Sequence, residues 1–285
     1  MLNFQTLSNR AILRIAGKDC FKFLQGIITN DINLLQKNGN IYTLMLTPQG
    51  RFLYDFLLLL HEDEIYIDHE AVFTKDIINK FNIYKLRADI SVKNEADEWS
   101  VLAIPHPSHN IETIANQQII IQDPRAEMLG FRAYVKKEDC SQFIEDHNMI
   151  EKSSIYDDIM YEHVIPEPHR DMEQERSFPL EYGIDNFHAI SFNKGCYLGQ
   201  EVTARTKHRG VIRKSLHKFI SDNEITNVEF GAEITTGDSK IGIFCSAHGK
   251  IGKALMRIEE YEAAMHHSEG EGVAARVLGH SIKIF

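Results

Sequence analysis

The sequence predicts an α+β protein of more than one domain, closed at its C-terminal end by a small β-barrel or jelly-roll-like domain. The chain has 285 residues, and single hydrophobic cores seldom keep growing at that length, so two or three cores are expected. As far as His163, strand-like apolar runs are interspersed with stretches whose apolar residues recur at helical spacing. From Arg213 onward, strand-length runs are broken by Gly231, Gly237, Gly242, Gly249 and Gly252, the punctuation of a closed antiparallel domain.

The elements follow in order. Asn9 to Ile15 holds β-formers; Gly17-Lys18-Asp19 breaks the strand, and Asp19 can cap a helix over Cys20 to Ile28 with Phe21, Leu24 and Ile28 facing one way. A strand from Ile41, the turn Thr47-Pro48-Gln49-Gly50 and a long strand Arg51 to Leu60 read as a β-hairpin. A further strand is expected at Ile65 to Asp68. A helix at Thr74 to Asn82 has Thr74 as cap and Ile77, Ile78 and Phe81 inside. Strands are expected at Ile90 to Val92, Trp99 to Ile104, Gln118 to Gln122 and Phe131 to Val135, with a polar loop at Pro105 to Gln117. Glu138 to Asn148 and Ser153 to His163 read as helices. Pro166, Pro168 and Pro179 mark an irregular connection, and Gln200 to Lys207 reads as a short helix ended by Gly210.

Composition narrows the function. Hydrophobic residues make up 43% and charged residues 25%, ordinary values for a folded globular chain. A formal charge of -10 argues against a general nucleic-acid binder, which needs a basic surface. One segment departs from this balance. Between Lys194 and His217 there are six Lys or Arg (Lys194, Arg205, Lys207, Arg209, Arg213, Lys214) against the single carboxylate Glu201, which suits a small anionic ligand. The apolar run Phe56 to Leu60 is too short to cross a bilayer and no export or transit signal is visible. Cys20, Cys140, Cys196 and Cys245 are isolated. They indicate a reducing cytoplasm and neither a structural zinc site nor a permanently bound metal. Signatures of P-loop, serine-hydrolase, zincin and Rossmann sites are absent from the sequence.

The densest chemistry is Lys194-Gly195-Cys196-Tyr197-Leu198-Gly199-Gln200-Glu201. Gly195 and Gly199 suggest a shaped loop. Lys194 and the N-terminus of the following helix would favour the Cys196 thiolate, against the ordinary reading of an isolated cysteine as a small buried hydrophobe. Glu201 can pair with Arg205 at helical spacing, which makes a structural role for Gln200-Glu201 as good a reading as a binding one. Glu181 could accept two hydrogen bonds from an amidine-like ring edge, although a surface glutamate is the commoner case. Tyr84-Lys85-Leu86-Arg87 would suit a stacked ring with an anionic tail, or a solvated strand edge.

These residues carry a resemblance. Lys194 to Glu201 is similar to the signature of the YgfZ-type folate-binding proteins, relatives of the glycine-cleavage aminomethyltransferase (T-protein) and of the mitochondrial assembly factor for [4Fe-4S] proteins. Further blocks resemble the family in the same order: Phe23-Leu24-Gln25-Gly26, Thr29-Asn30-Asp31, Leu46 to Arg51, Leu86-Arg87-Ala88-Asp89, Asp123-Pro124-Arg125, Ile165-Pro166-Glu167, Phe178 to Glu181 and Ala204-Arg205-Thr206. The resemblance implies a three-domain cloverleaf of T-protein type, with antiparallel sheets, helices and a C-terminal β-barrel around a central tetrahydrofolate channel. Its domains would be 1–45 with 150–210, a middle α+β domain at 46–149, and the barrel at 211–285.

It also implies site roles. Glu181, Tyr197, Gly199, Gln200, Glu201, Arg205, Arg209, Tyr84 and Arg87 would contact a tetrahydrofolate or one-carbon derivative; charge, more than the resemblance, assigns Arg205 and Arg209 to its acidic tail. Cys196 would be the functional thiol, assisted by Lys194. The implied function is assembly or repair of iron-sulfur clusters, chiefly [4Fe-4S], in client enzymes that include tRNA-modifying radical enzymes. Clients and other assembly proteins would be its partners, with no direct nucleic acid and no membrane. One departure bears on turnover: the aminomethyltransferases carry tandem aspartates where this chain reads Leu53-Tyr54-Asp55-Phe56, which places aminomethyl transfer in doubt. That transferase activity, and an iron-sulfur carrier without folate chemistry, are the alternatives.

Overall fold

A computed structural model of the chain describes residues 1–105, 118–268 and 271–285. The chain divides into two compact units, residues 1–156 with 186–200, and residues 157–185 with 201–285.

In the first unit, strands β1 (Leu2–Thr6) and β2 (Arg10–Ala16) precede helices α1 (Cys20–Ile27) and α2 (Asn33–Asn38). Next come β3 (Asn40–Leu46), β4 (Phe52–His61), β5 (Glu64–Glu70), α3 (Thr74–Tyr84), β6 (Ser91–Asn94), β7 (Trp99–Ile104), β8 (Ile119–Gln122), β9 (Phe131–Lys136), α4 (Cys140–Asp146) and β10 (Met149–Glu151). They form two five-stranded sheets, ordered β3-β4-β5-β2-β6 and β10-β1-β7-β9-β8. The expected hairpin is β3 on β4, closed by Thr47 N–H to Arg51 O at 2.8 Å and Gly50 N–H to Thr47 O at 2.9 Å. Phe52 to Leu59 are buried without interruption, as expected of a central strand covered on both faces. Leu24, Ile28, Ile77 and Phe81 join β4 and β5 side chains in one core.

Local signals failed in three places. Asp19 makes no side-chain cap; its Oδ2 instead accepts the Asp89 N–H at 2.8 Å. Thr74 is the first residue of α3 rather than its cap, and its hydroxyl donates to Ala71 O at 2.7 Å and lies 3.0 Å from His69 Nε2. The helix expected at Glu138 to Asn148 is shorter, Cys140–Asp146, because Asn148 takes a positive φ of 49° and the chain enters β10 at Met149, parallel to β1 with Leu2 opposite Met149. A parallel partner almost 150 residues away leaves no local periodicity to read. The loop expected at Pro105 to Gln117 lies, beyond Pro105, outside the described residues.

The two sheets of this unit are joined by a buried ion network. Asp68 on β5 accepts Arg10 Nε at 2.6 Å, Arg132 Nη1 at 2.6 Å and the Tyr134 hydroxyl at 2.8 Å. Arg132 also donates to Asp123 at 3.1 Å and to the Tyr156 hydroxyl at 2.6 Å. Arg125 donates to the Asp123 carboxylate at 2.9 and 2.7 Å and to the same tyrosine. The Asp123-Pro124-Arg125 block is therefore part of the scaffold. Buried charges of this kind are tolerated only when paired and hydrogen-bonded.

The second unit begins with α5 (Ile155–Glu162), whose first two residues belong to the first unit, and continues with α6 (Pro168–Asp171) and α7 (Gln200–Arg209), which starts at the unit boundary. Strands β11 (Lys214–Ser221), β12 (Glu233–Thr236), β13 (Ser239–His248), β14 (Ile251–Arg257), β15 (Val273–Val277) and β16 (His280–Ile284) close into a barrel in the order β11-β14-β13-β12-β15-β16. Helix α8 (Ile258–His267) interrupts it and packs Tyr261 against the barrel core. On barrel strand β14, Lys253 is fully buried, with Nζ 2.5 Å from Asp171 and 3.0 Å from Ile165 O. The Asp171 carboxylate also accepts Glu167 N–H at 2.7 Å and the Ser246 hydroxyl.

Candidate functional site

The octad is fastened to the C-terminal end of α1. That helix has no basic residue in its last turn, so its terminal carbonyls lack a local cation. Lys194 supplies one from far along the chain: Nζ donates to Gln25 O, Ile28 O and Asn30 O, each at 2.8 Å. Only 9% of the residue is exposed. Its ammonium also lies 5.0 Å from the centroid of the buried Tyr197 ring. Burial pulls the Lys194 pKa down to about 8, with Asp31 acting the other way, so the group is charged at neutral pH.

A second bond closes the loop. Leu198 N–H donates to Gly26 O at 3.0 Å, so Gly195, Cys196 and Tyr197 form a short bight between two attachments to α1. Beyond it, Gly199 takes φ +84° and lies so close to the β3–β4 turn that a Cβ would stand 2.5 Å from Thr47 O. Gly195 is different: a Cβ there meets nothing within 4 Å. The shaping role expected of both glycines is thus required only at Gly199.

Cys196 is exposed, whereas Cys20 and Cys245 are buried and Cys140 is half-buried; all four are free thiols. Burial raises the Cys245 thiol well above its ordinary pKa, and that of Cys20 as well, which leaves both inert as nucleophiles. Among the described residues no three His, Cys, Asp or Glu side chains are grouped to hold a metal ion.

The neighbouring blocks explain how the octad is held. Gln25 donates to Asp31 Oδ1 at 3.0 Å and accepts Ile32 N–H at 3.0 Å. Asn30 Nδ2 bonds Tyr42 O at 2.8 Å and His188 O at 2.7 Å, and the Thr29 hydroxyl donates to Ala189 O at 2.7 Å. Thr29 and Asn30 therefore clasp the segment leading into the octad onto β3. Sequence reading gave these two residues no role; a polar Thr-Asn-Asp triplet following a buried apolar helix was the available signal.

The remaining expected residues fall in two groups. In the first unit, Tyr84 is half-buried against the core at the end of α3 and Arg87 is exposed, while Gln200 N–H bonds Tyr197 O at 3.2 Å. In the second unit, Glu181 is half-buried with Oε2 3.4 Å from Lys214 Nζ, a loose contact that leaves carboxylate lone pairs for another donor. Glu201, Arg205 and Arg209 are exposed on α7. Glu201 and Arg205 do not form the expected ion pair. Instead Lys207 of this helix meets Asp185 at 2.6 Å.

Comparison with known proteins gives the family. Residues 6–119 match the GCVT N-terminal domain and residues 213–279 the CAF17 C-terminal beta-barrel domain. The mitochondrial iron-sulfur cluster assembly factor IBA57 of Mus musculus is 30% identical over 290 residues, covering 93% of this chain and 80% of the relative. The chain belongs to the IBA57 family. A Neurospora crassa homologue is 32% identical over 233 residues, 74% of this chain and 52% of its own length, so the match spans about half of that relative. The glycine cleavage system aminomethyltransferase T of Bartonella henselae superposes with a TM-score of 0.76 at 14% identity, over 99% of this chain and 84% of that one. The GcvT-like fold of the IBA57 family, ending in its closed six-stranded barrel, is thus the fold expected from the resemblance. The names of the IBA57 relatives place them in mitochondria, whereas the sequence suggested the cytoplasm.

Proposed function

We propose that the protein is an iron-sulfur cluster assembly factor that binds tetrahydrofolate or a one-carbon derivative, works in a reducing compartment, and serves [4Fe-4S] client enzymes, including radical enzymes that modify tRNA, together with other assembly proteins. Membership of the IBA57 family supports the assembly role. The observation that carries it to a site is the single exposed thiol, Cys196, on a bight bonded at both ends to one helix. The cluster is cargo in this reading, and a lone thiol would engage it in concert with a partner.

Against the aminomethyltransferase alternative, only one acid of the tandem pair remains in this chain. Tyr54 is buried in the apolar core, and Asp55 faces the buried ion network, 3.5 Å from Arg10. An ion-paired aspartate inside the scaffold is not placed to act as a base.

Glu181, with Arg205 and Arg209, is the proposed anchor for the pterin ring and the acidic tail. Titration of the protein with tetrahydrofolate is expected to show binding at micromolar concentrations, weakened about tenfold or more by Glu181→Ala, the loss expected of a charge-assisted hydrogen bond. Absence of binding at those concentrations would remove folate from the account and leave the assembly role standing.

A further inference from the structure

We propose that Lys194 is a positioning residue: its ammonium acts as a C-terminal cap for α1 supplied from the octad, and this cap holds the Cys196 bight in place. The proposal rests on Cys196 being the functional thiol and specifies how this chain presents it.

The geometry separates this role from catalysis and from thiol activation. An ammonium has three N–H donors, and Lys194 uses them on three carbonyls, each at 2.8 Å. No donor remains for a substrate or for the Cys196 sulfur. All three acceptors lie within residues 25–30, where the helix ends and its carbonyls lose their internal partners. The pairing spans 164 to 169 residues of sequence, so it fixes the octad to α1 as a tertiary tie. Leu198 N–H to Gly26 O is the second tie. With both made, the bight is tied at each end; breaking the first removes its tie on the Lys194 side.

Residue chemistry explains the choice of lysine. A compact ammonium with three freely rotating donors can converge on carbonyls from one point, whereas the planar fork of arginine spreads its donors in one plane. Methionine preserves the apolar stem and its packing but brings no donor. A role confined to filling space would therefore survive Lys194→Met, and a capping role would not.

The test measures amide hydrogen exchange across residues 25–32 and 194–200, together with the alkylation rate of Cys196 by iodoacetamide at fixed pH, in the full chain. In Lys194→Met, exchange at Leu198 and Ile28 is expected to accelerate at least tenfold and the alkylation rate to change severalfold, while protection of β13 and β14 is unchanged. Lys194→Arg, which keeps the charge but reaches fewer carbonyls, should fall between the two and supplies the reading if the methionine variant does not fold. Wild-type exchange and alkylation in both variants would overturn the proposal, as would a uniform loss of protection across both units. Both readouts are independent of cluster assembly, so their failure is distinct from failure of the proposed function.

Discussion

Gly199→Ala is expected to destabilise the protein by roughly 2–4 kcal/mol, combining the cost of a left-handed alanine with overpacking against the hairpin turn. The cause is local and specific. At φ +84° the new Cβ would stand 2.5 Å from Thr47 O, 3.0 Å from Leu46 Cβ and 3.2 Å from Gly50 Cα, of which two are backbone atoms of a tight turn that cannot swing aside. Relief requires the octad to lift away from β3 and β4, which also pulls on the Leu198–Gly26 bond next to it. Gly195→Ala is the internal control, with open space around its Cβ and an expected change within about 0.5 kcal/mol. Denaturant midpoints of the two variants compare them directly; equal midpoints would show that the Gly199 contact with the turn contributes nothing.

Asp68→Asn should be costlier still, by up to about 3–5 kcal/mol, because it removes the shortest charged partner of two buried guanidinium groups and leaves Arg10 to Glu70 and Asp55 at 3.2 and 3.5 Å and Arg132 to Asp123 at 3.1 Å. Arg10 and Arg132 both lose their shared carboxylate, and the Tyr134 hydroxyl loses a charged acceptor. The same network makes the first unit sensitive to acid. Burial by itself would raise the Asp68 carboxyl, but the charges of Arg10 and Arg132 and the hydrogen bonds from Arg10 and Tyr134 outweigh it and hold the group below the ordinary aspartate value. A carboxyl depressed in the folded state contributes stability above its unfolded pKa of about 3.9 and loses it as pH falls through the folded value. His69 adds to the trend: burial lowers it to about 4, so its contribution is present above about pH 6.5 and is lost as pH falls toward the folded value. Stability should thus decline from about pH 6.5 downward, with a steeper loss below about pH 4 that is weaker in Asp68→Asn. A wild-type curve flat between pH 7 and 3 would contradict this assignment.

Much of the fold was legible because its signals are local. The hairpin over Thr47 to Gly50, the uninterrupted apolar β4 and the glycine-punctuated barrel all announce themselves through periodicity and turn chemistry. Helix α8 was missed: Ile258, Tyr261 and Met265 recur at helical spacing, but the surrounding glycine-broken strands drew that stretch into the barrel pattern. What local reading could not supply was pairing over distance. Asp19 and Thr74 have the residue types of helix caps, yet each is recruited by a tertiary partner, Asp89 in one case and His69 in the other. Lys194 is the clearest instance within the site. Its charge beside a cysteine suggested thiol activation, while its actual acceptors are three carbonyls more than 160 residues upstream. Glu181, Cys196 and the Thr29-Asn30-Asp31 triplet all stand in recognisable blocks, but the task of Thr29 and Asn30, bonding the backbone of Ala189 and His188, could not be read from sequence.

In the proposed function, this chain supports iron-sulfur cluster assembly through the exposed thiol of Cys196. The direct measurement is the activity of [4Fe-4S] enzymes in cells lacking the protein, complemented with the wild-type chain or with Cys196→Ser at matched protein levels. These activities are expected to fall in the deleted cells, return with the wild type, and stay low with Cys196→Ser even though that variant folds with near wild-type stability. Unchanged activities on deletion, or full restoration by Cys196→Ser, would contradict it.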